Sequence, residues 1–193
     1  MRVIAGKARS LPLKTVEGDA TRPTTDRIKE TLFNILQKDL CDIRFLDLFA
    51  GSGAIGIEAL SRGAALACFV DSSRAAVNCI HRNLAFTRLN AQAEVFQCDA
   101  LTALARLEGR PPFDIIFMDP PYGKGLEERV LAYIAQHRPT FVDSRTVFIV
   151  EMSLDTEFDG LLNDGFELLR VKEYKTNKHV FLIPKKVQEQ EQI

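Results

Sequence analysis

The sequence predicts one α/β domain, a mostly parallel sheet covered by helices on both faces and finished by an antiparallel hairpin. Three observations lead there. From Arg44 to Glu151, short apolar runs alternate with helical stretches, the pattern of consecutive βαβ units. The first of those runs leads into a glycine-rich loop that opens a helix. The last two runs follow each other with no helix between them, which calls for an antiparallel pair.

Taken in order, residues 2–16 (RVIAGKARSLPLKTV) read as a small basic hairpin. Residues 17–25 are polar and contain Gly18 and Pro23, so they read as a loop in which Thr24 or Thr25 caps a helix beginning near Asp26. Ile28, Leu32, Ile35 and Leu36 fall on one face of that helix. Strands are expected over 44–48, 66–71, 93–98, 113–118 and 146–151, and helices near 54–61, 73–86, 100–107, 125–136 and 155–162. Residues 166–173 and 179–184 form the closing hairpin, joined by Lys175-Thr176-Asn177-Lys178, and the tail QEQEQI is polar.

Composition narrows the class. The 193 residues are 46% hydrophobic and 26% charged, enough apolar matter for a core without disulfides and too little bias for a disordered or fibrous chain. No apolar run approaches the ~20 residues of a membrane-spanning helix, and the N-terminus lacks the apolar stretch of a signal peptide, so a cytoplasmic protein is expected. Cys41, Cys68, Cys79 and Cys98 show no metal-binding spacing, so reduced thiols and no metal are expected. The net charge of −1 conceals a division. Residues 1–29 hold seven Lys/Arg against three Asp/Glu, residues 170–193 six against three, and the middle is acidic. A polyanion held by the two ends would suit that distribution, as would an uneven solvated surface.

The loop Gly51-Ser52-Gly53-Ala54-Ile55-Gly56 fits G-x-G-x-x-G between a strand and a helix, at the end of the sheet where ligands bind. A Cβ there would collide with a ligand lying against the backbone. A dinucleotide and S-adenosylmethionine both suit such a loop. Asp47, just before it, would repel a pyrophosphate and attract a cationic methionine moiety. Asp71 ends the second strand, where a carboxylate can accept from ribose hydroxyls, and Asp99 ends the third, within reach of an adenine amine.

The fourth strand ends in Asp119-Pro120-Pro121-Tyr122. Consecutive prolines stiffen the chain and remove donors, so the turn presents acceptors in a fixed shape. The Asp119 carboxylate and the Pro120 carbonyl can take the two N–H bonds of an exocyclic amine and aim its lone pair. The Tyr122 ring offers a face for stacking a base.

These residues together resemble a known family. Asp47, Gly51-Ser52-Gly53 and Asp119-Pro120-Pro121-Tyr122 resemble the class I (Rossmann-like) S-adenosylmethionine-dependent amino-methyltransferases. The stretch Thr21-Arg22-Pro23-Thr24-Thr25-Asp26-Arg27-Ile28-Lys29-Glu30 with Leu32-Phe33-Asn34-Ile35-Leu36 and Phe45-Leu46-Asp47-Leu48-Phe49-Ala50-Gly51-Ser52-Gly53 is similar to the RsmD family. The resemblance covers essentially residues 1–184. One departure shows: Lys175 follows Tyr174 where the family usually has Tyr-Gly.

The resemblance implies a seven-stranded, mostly parallel methyltransferase sheet, matching the strands counted above. It also implies methylation of the exocyclic N2 of a guanine in small-subunit (16S) ribosomal RNA, with the base flipped out to reach the cleft. Residues 1–40 would form an N-terminal extension, 41–186 the methyltransferase domain and 187–193 a polar tail. Naked RNA or an assembling small subunit would be the partner, met by a monomer. Arg2, Lys7, Arg9 and Lys14 from the front and Lys175 and Lys178 from the last loop would meet phosphates. Arg22 and Thr24 would close over cofactor and base. An N6-adenine or N4-cytosine DNA methyltransferase uses the same amine chemistry, but a long target-recognition insertion is missing. A nicotinamide oxidoreductase is disfavoured by Asp47 and Asp119-Pro120-Pro121. A silent RNA-binding assembly factor is disfavoured by the intact Asp119 and Tyr122.

Overall fold

A computed structural model describes residues 1–16, 26–37, 40–157 and 165–185. Helix α1 (Asp26–Leu36) precedes β1 (Arg44–Asp47), α2 (Ala54–Ser61), β2 (Leu66–Asp71), α3 (Arg74–Thr87), β3 (Ala93–Gln97), α4 (Ala100–Leu107), β4 (Ile115–Met118), α5 (Leu126–His137), β5 (Val147–Ser153), β6 (Phe166–Glu173) and β7 (Asn177–Pro184). The strands form one seven-stranded sheet in the order β3-β2-β1-β4-β5-β7-β6. Strands β1 to β5 are parallel, and β7 enters antiparallel between β5 and β6.

The sheet is apolar on both faces because helices cover both. Successive residues of a strand alternate between two buried layers. Phe45, Phe69, Phe117 and Ile149 meet α1, α2 and α3 through Leu32, Phe33, Ile57, Leu60 and Ile80. Leu46, Val70, Ile116, Met118 and Phe148 meet α4 and α5 through Leu104, Leu131 and Ile134. The chain leaves β1 toward β2 and β3, then returns to place β4 on the other side of β1. That reversal opens a crevice at the carboxyl ends of β1 and β4, the ligand position of open α/β sheets.

The expected N-terminal hairpin is short: Arg2 and Pro12 form an antiparallel bridge, and Val3, Ser10 and Leu13 N–H donate across it to the carbonyls of Leu11, Val3 and Met1. Helix α2 satisfies further backbone groups of the segment. Ile4 and Ala5 N–H groups donate to Glu58, and Ala8 N–H donates to Ser61 Oγ. Gly6 lies at φ +84°, where a Cβ would run into the Ser61 backbone. Glu58 also takes the fully buried Lys29 ammonium at 3.1 Å, and Lys29 donates to the Arg2 carbonyl at 2.6 Å. One buried ion pair thus ties the N-terminal segment, α1 and α2 together.

Two boundaries are corrected. Strand β5 runs to Ser153, so Asn177 and Lys178, expected in a turn, pair with Ser153 and Met152 and open β7. Residues 155–157 of the helix expected near 155–162 are turn and irregular chain. The rest of that helix, and the proposed caps Thr24 and Thr25, lie outside the described residues.

Candidate methyl-transfer cleft

The crevice is an open cleft of about 1430 Å³ whose walls include Asp47, Asp71, Asp99, Asp119, Glu151 and Asn177. The glycine loop forms its floor. Gly51 at φ +52° and Gly53 at φ +78° take left-handed backbone, which side chains rarely adopt. A Cβ on Gly51 would stand in open space, so its conformation demands glycine rather than any neighbour. Gly56 differs: a Cβ there would strike the Phe69 ring of β2. Its absence lets α2 pack close to the sheet, a role in packing and not in meeting a ligand.

Asp71 clasps the loop, accepting from Gly51 N–H and Ser73 N–H at 2.8 Å each. Asp47 is buried at the end of β1. Its Oδ2 accepts from Gly56 N–H at 3.2 Å, and its Oδ1 has no partner among the described residues. Desolvation, opposed by that N–H and reinforced by the charge of Asp71, pushes its carboxyl up to about 7. A cation in the cleft would relieve this group, and S-adenosylmethionine carries two, a sulfonium and an ammonium. The donor set fits: acidic ends on three adjacent strands and a loop floor closed to larger side chains. Asp99 lines the cleft and also caps α4. It accepts from Thr102 N–H at 3.0 Å and Thr102 Oγ1 at 2.6 Å, bonds that hold its carboxyl below the ordinary value.

Asp119 and Pro120 follow β4 into the same cleft, with Tyr122 exposed at its lip. The Tyr122 hydroxyl donates to Glu151 Oε1 at 3.2 Å. Burial, then the negative charges of Glu151 and Asp47, hold the Asp119 carboxyl well above its usual range. Buried Glu151, His179 and Asn177, with half-buried Tyr174, form a polar group behind it that sequence reasoning missed. They come from β5, β7 and the hairpin turn, and no linear motif joins them. Only the register that sets Glu151 opposite His179 brings them together.

The proposed phosphate contacts divide. Lys175 is exposed and lines the cleft. Lys178 is a correction: it is buried in β7, and its ammonium donates to the carbonyls of Leu154 and Thr156, so it cannot present a charge to RNA. Lys7 and Arg9 are exposed but do not line the cleft. Lys7 N–H bonds the carbonyl of Ser61, the last residue of α2, roughly 10 Å along the helix from the glycine loop. Arg2 is exposed beside Asp26, and the Lys14 backbone is held by Asn83. Arg22 and Thr24 lie outside the described residues. In their place Arg27, Lys124, Arg129 and Lys172 join Lys175 in the cleft wall. Scattered along the chain, these four showed no clustering before folding.

The family model described as Conserved hypothetical protein 95 matches residues 1–183. The chain belongs to this family, the RsmD family of the motif resemblance. Ribosomal RNA small subunit methyltransferase D of Haemophilus influenzae is 37% identical over 138 residues, 71% of this chain and 72% of that protein. Its namesake from Escherichia coli K12 is 42% identical over 131 residues, 68% of this chain and 65% of that protein. A solved Escherichia coli structure superposes with TM-score 0.79 at 32% identity, covering 96% of this chain and 98% of that one. A hypothetical protein of Thermus thermophilus does so with TM-score 0.75 at 27% identity, covering 94% and 98%. Among the described residues no cluster of metal-ligating side chains occurs, and no helix is long and apolar enough to cross a membrane.

Proposed function

We propose that this chain methylates the exocyclic N2 of a guanine in small-subunit ribosomal RNA. The methyl donor is S-adenosylmethionine, which brings an activated methyl on a sulfonium that leaves readily. One observation carries the reading. The rigid Asp119-Pro120-Pro121-Tyr122 turn and the Gly51–Gly56 loop, from separate βα units, face one cleft. Asp47 and Asp71 favour and orient the cationic, ribose-bearing donor. Asp99, at the margin, takes its adenine amine.

Asp119 and the Pro120 carbonyl hold the target amine by its two N–H groups. Tyr122 stacks the flipped base. Alignment of nitrogen, methyl and sulfur supplies much of the rate, since the leaving group needs little help. Arg27, Lys124, Arg129, Lys172 and Lys175 give the cleft walls a positive surface for the flanking phosphates. The relatives' names support ribosomal RNA as the polymer. The chain acts as a monomer in the cytoplasm, on naked RNA or an assembling small subunit.

The test is transfer from labelled S-adenosylmethionine to small-subunit particles and RNA from cells lacking the protein, followed by mass mapping. One N2-methylguanine is expected. A modified adenine, a modified cytosine or preferred transfer to DNA would refute the reading.

A further inference from the structure

Two carboxylates stand in the reacting part of the cleft, and their surroundings differ. Glu151 is buried in β5 and held by three donors. Oε1 accepts from Tyr122 Oη at 3.2 Å and Asn177 Nδ2 at 2.5 Å, and Oε2 from His179 Nε2 at 3.0 Å. A carboxylate oxygen accepts, so His179 Nε2 is the donor to Glu151, and its Nδ1 stands 3.1 Å from the Tyr174 hydroxyl. Asp119, in contrast, accepts no side-chain or backbone hydrogen bond among the described residues, and it is partly open to the cleft. When environments separate two acidic groups in this way, their roles separate as well.

We propose that Glu151 is a positioning residue of the methyl-transfer centre: a fixed, hydrogen-bonded negative charge that anchors the Tyr122 platform and leaves Asp119 alone to take the proton of the target amine. The inference rests on the reading of an amine-methylating cleft. In the step, the amine nitrogen forms a bond to the methyl carbon as the carbon–sulfur bond breaks. The electron pair of that bond stays on sulfur, giving a neutral thioether. The surplus N–H proton passes to the Asp119 carboxylate and from there to water at the cleft mouth. Glu151 neither gains nor loses a proton. Its charge, with that of Asp47, strengthens Asp119 as a base.

The groups around this pair are few. Asp119 faces Glu151 from β5 and Asp47 from β1. Glu151 faces Tyr122, Asn177 and His179, with Tyr174 behind His179 and Arg170 acting on Tyr174. Lys172 and Lys175 stand in the outer wall.

Single-turnover transfer to small-subunit RNA, followed from pH 5.5 to 9.5 on the full chain, tests the assignment. Glu151→Gln keeps an acceptor for Tyr122 and removes the charge. Its acidic limb is expected to move down by about one pH unit, while its plateau rate falls about tenfold, since a weaker base gains less from proton transfer. The two profiles should converge or cross at low pH, with S-adenosylmethionine affinity within about twofold of wild type. Tyr122→Phe should raise the RNA KM about three- to tenfold and leave the limb in place. Asp119→Asn, at the cleft surface, should lose at least about 100-fold in rate.

An unmoved limb in Glu151→Gln would overturn the inference alone. So would near-normal transfer by Asp119→Asn, which also covers the case in which the Glu151 variant fails to fold. A wild-type chain that methylates no RNA amine would overturn the underlying reading, and this inference with it.

Discussion

Replacing Asp47 with Asn should stabilise the empty protein and weaken its hold on the methyl donor. The carboxyl is buried, has one backbone N–H on Oδ2 and, among the described residues, nothing on Oδ1, and is pushed from 3.8 up to about 7. Keeping it ionised above that pH costs the folded state roughly 4 kcal/mol, because each tenfold change in proton affinity is worth ~1.4 kcal/mol. The folded state binds this proton more tightly than the unfolded chain does. Asp47 therefore contributes a loss of stability that grows as pH rises from about 4 to about 7 and then levels off.

Asn keeps an oxygen for Gly56 N–H and cannot ionise, so this loss disappears. The melting temperature without ligand should rise by roughly 8–16 °C at pH 8 for a domain of this size. The donor responds in the opposite sense. A cation about 6–8 Å from Asp47 at an effective dielectric of ~20 gains about 2–3 kcal/mol, so affinity should fall roughly 30- to 150-fold. In the wild type, affinity should also weaken as pH drops through about 7, where the carboxyl protonates. Thermal melts and calorimetry with S-adenosylmethionine, at pH 6 and pH 8, measure both. An Asn variant that binds the donor like wild type, or wild-type affinity flat between those pH values, would refute the electrostatic account.

Other expectations follow from neighbouring groups. Asp71→Ala removes the clasp on Gly51 and Ser73 and the ribose acceptor, so donor affinity should fall by about 1.5–3 kcal/mol in calorimetry. Lys124→Ala with Lys175→Ala should reduce the slope of log affinity for RNA against log salt by ~0.7 for each phosphate that is no longer neutralised. Lys7→Ala with Arg9→Ala should change that slope less, as both lie outside the cleft. Glu58→Ala leaves the Lys29 ammonium buried without its partner, and denaturant melts should show a loss of about 3–5 kcal/mol.

Much of the architecture was legible because local signals and the fold agree. The alternation from Arg44 to Glu151, the glycine loop and the paired final strands each point to the same class of sheet, while the strand order is set by the tertiary structure. The chemistry at the strand ends was legible for the same reason. In a parallel sheet the residue closing a strand stands at the ligand end, so Asp47, Asp71 and Asp119 could be placed before any coordinates.

What tertiary structure alone decided concerns residues whose partners lie far away in sequence. The polar run Lys175-Thr176-Asn177-Lys178 has turn composition, yet a longer β5 offers ladder partners and draws Asn177 and Lys178 into the sheet. Gly56 belongs to a ligand motif, yet the Phe69 ring, 13 positions on, sets its need for glycine. Glu151 and His179 are 28 residues apart and meet only because β5 and β7 pair in that register. Lys7 counts toward a basic N-terminus, but the loop's docking on α2 carries it away from the cleft. Local pattern specifies backbone state and which end of a strand a residue occupies. Which side chains share a pocket depends on packing between distant segments, and no spacing rule encodes that.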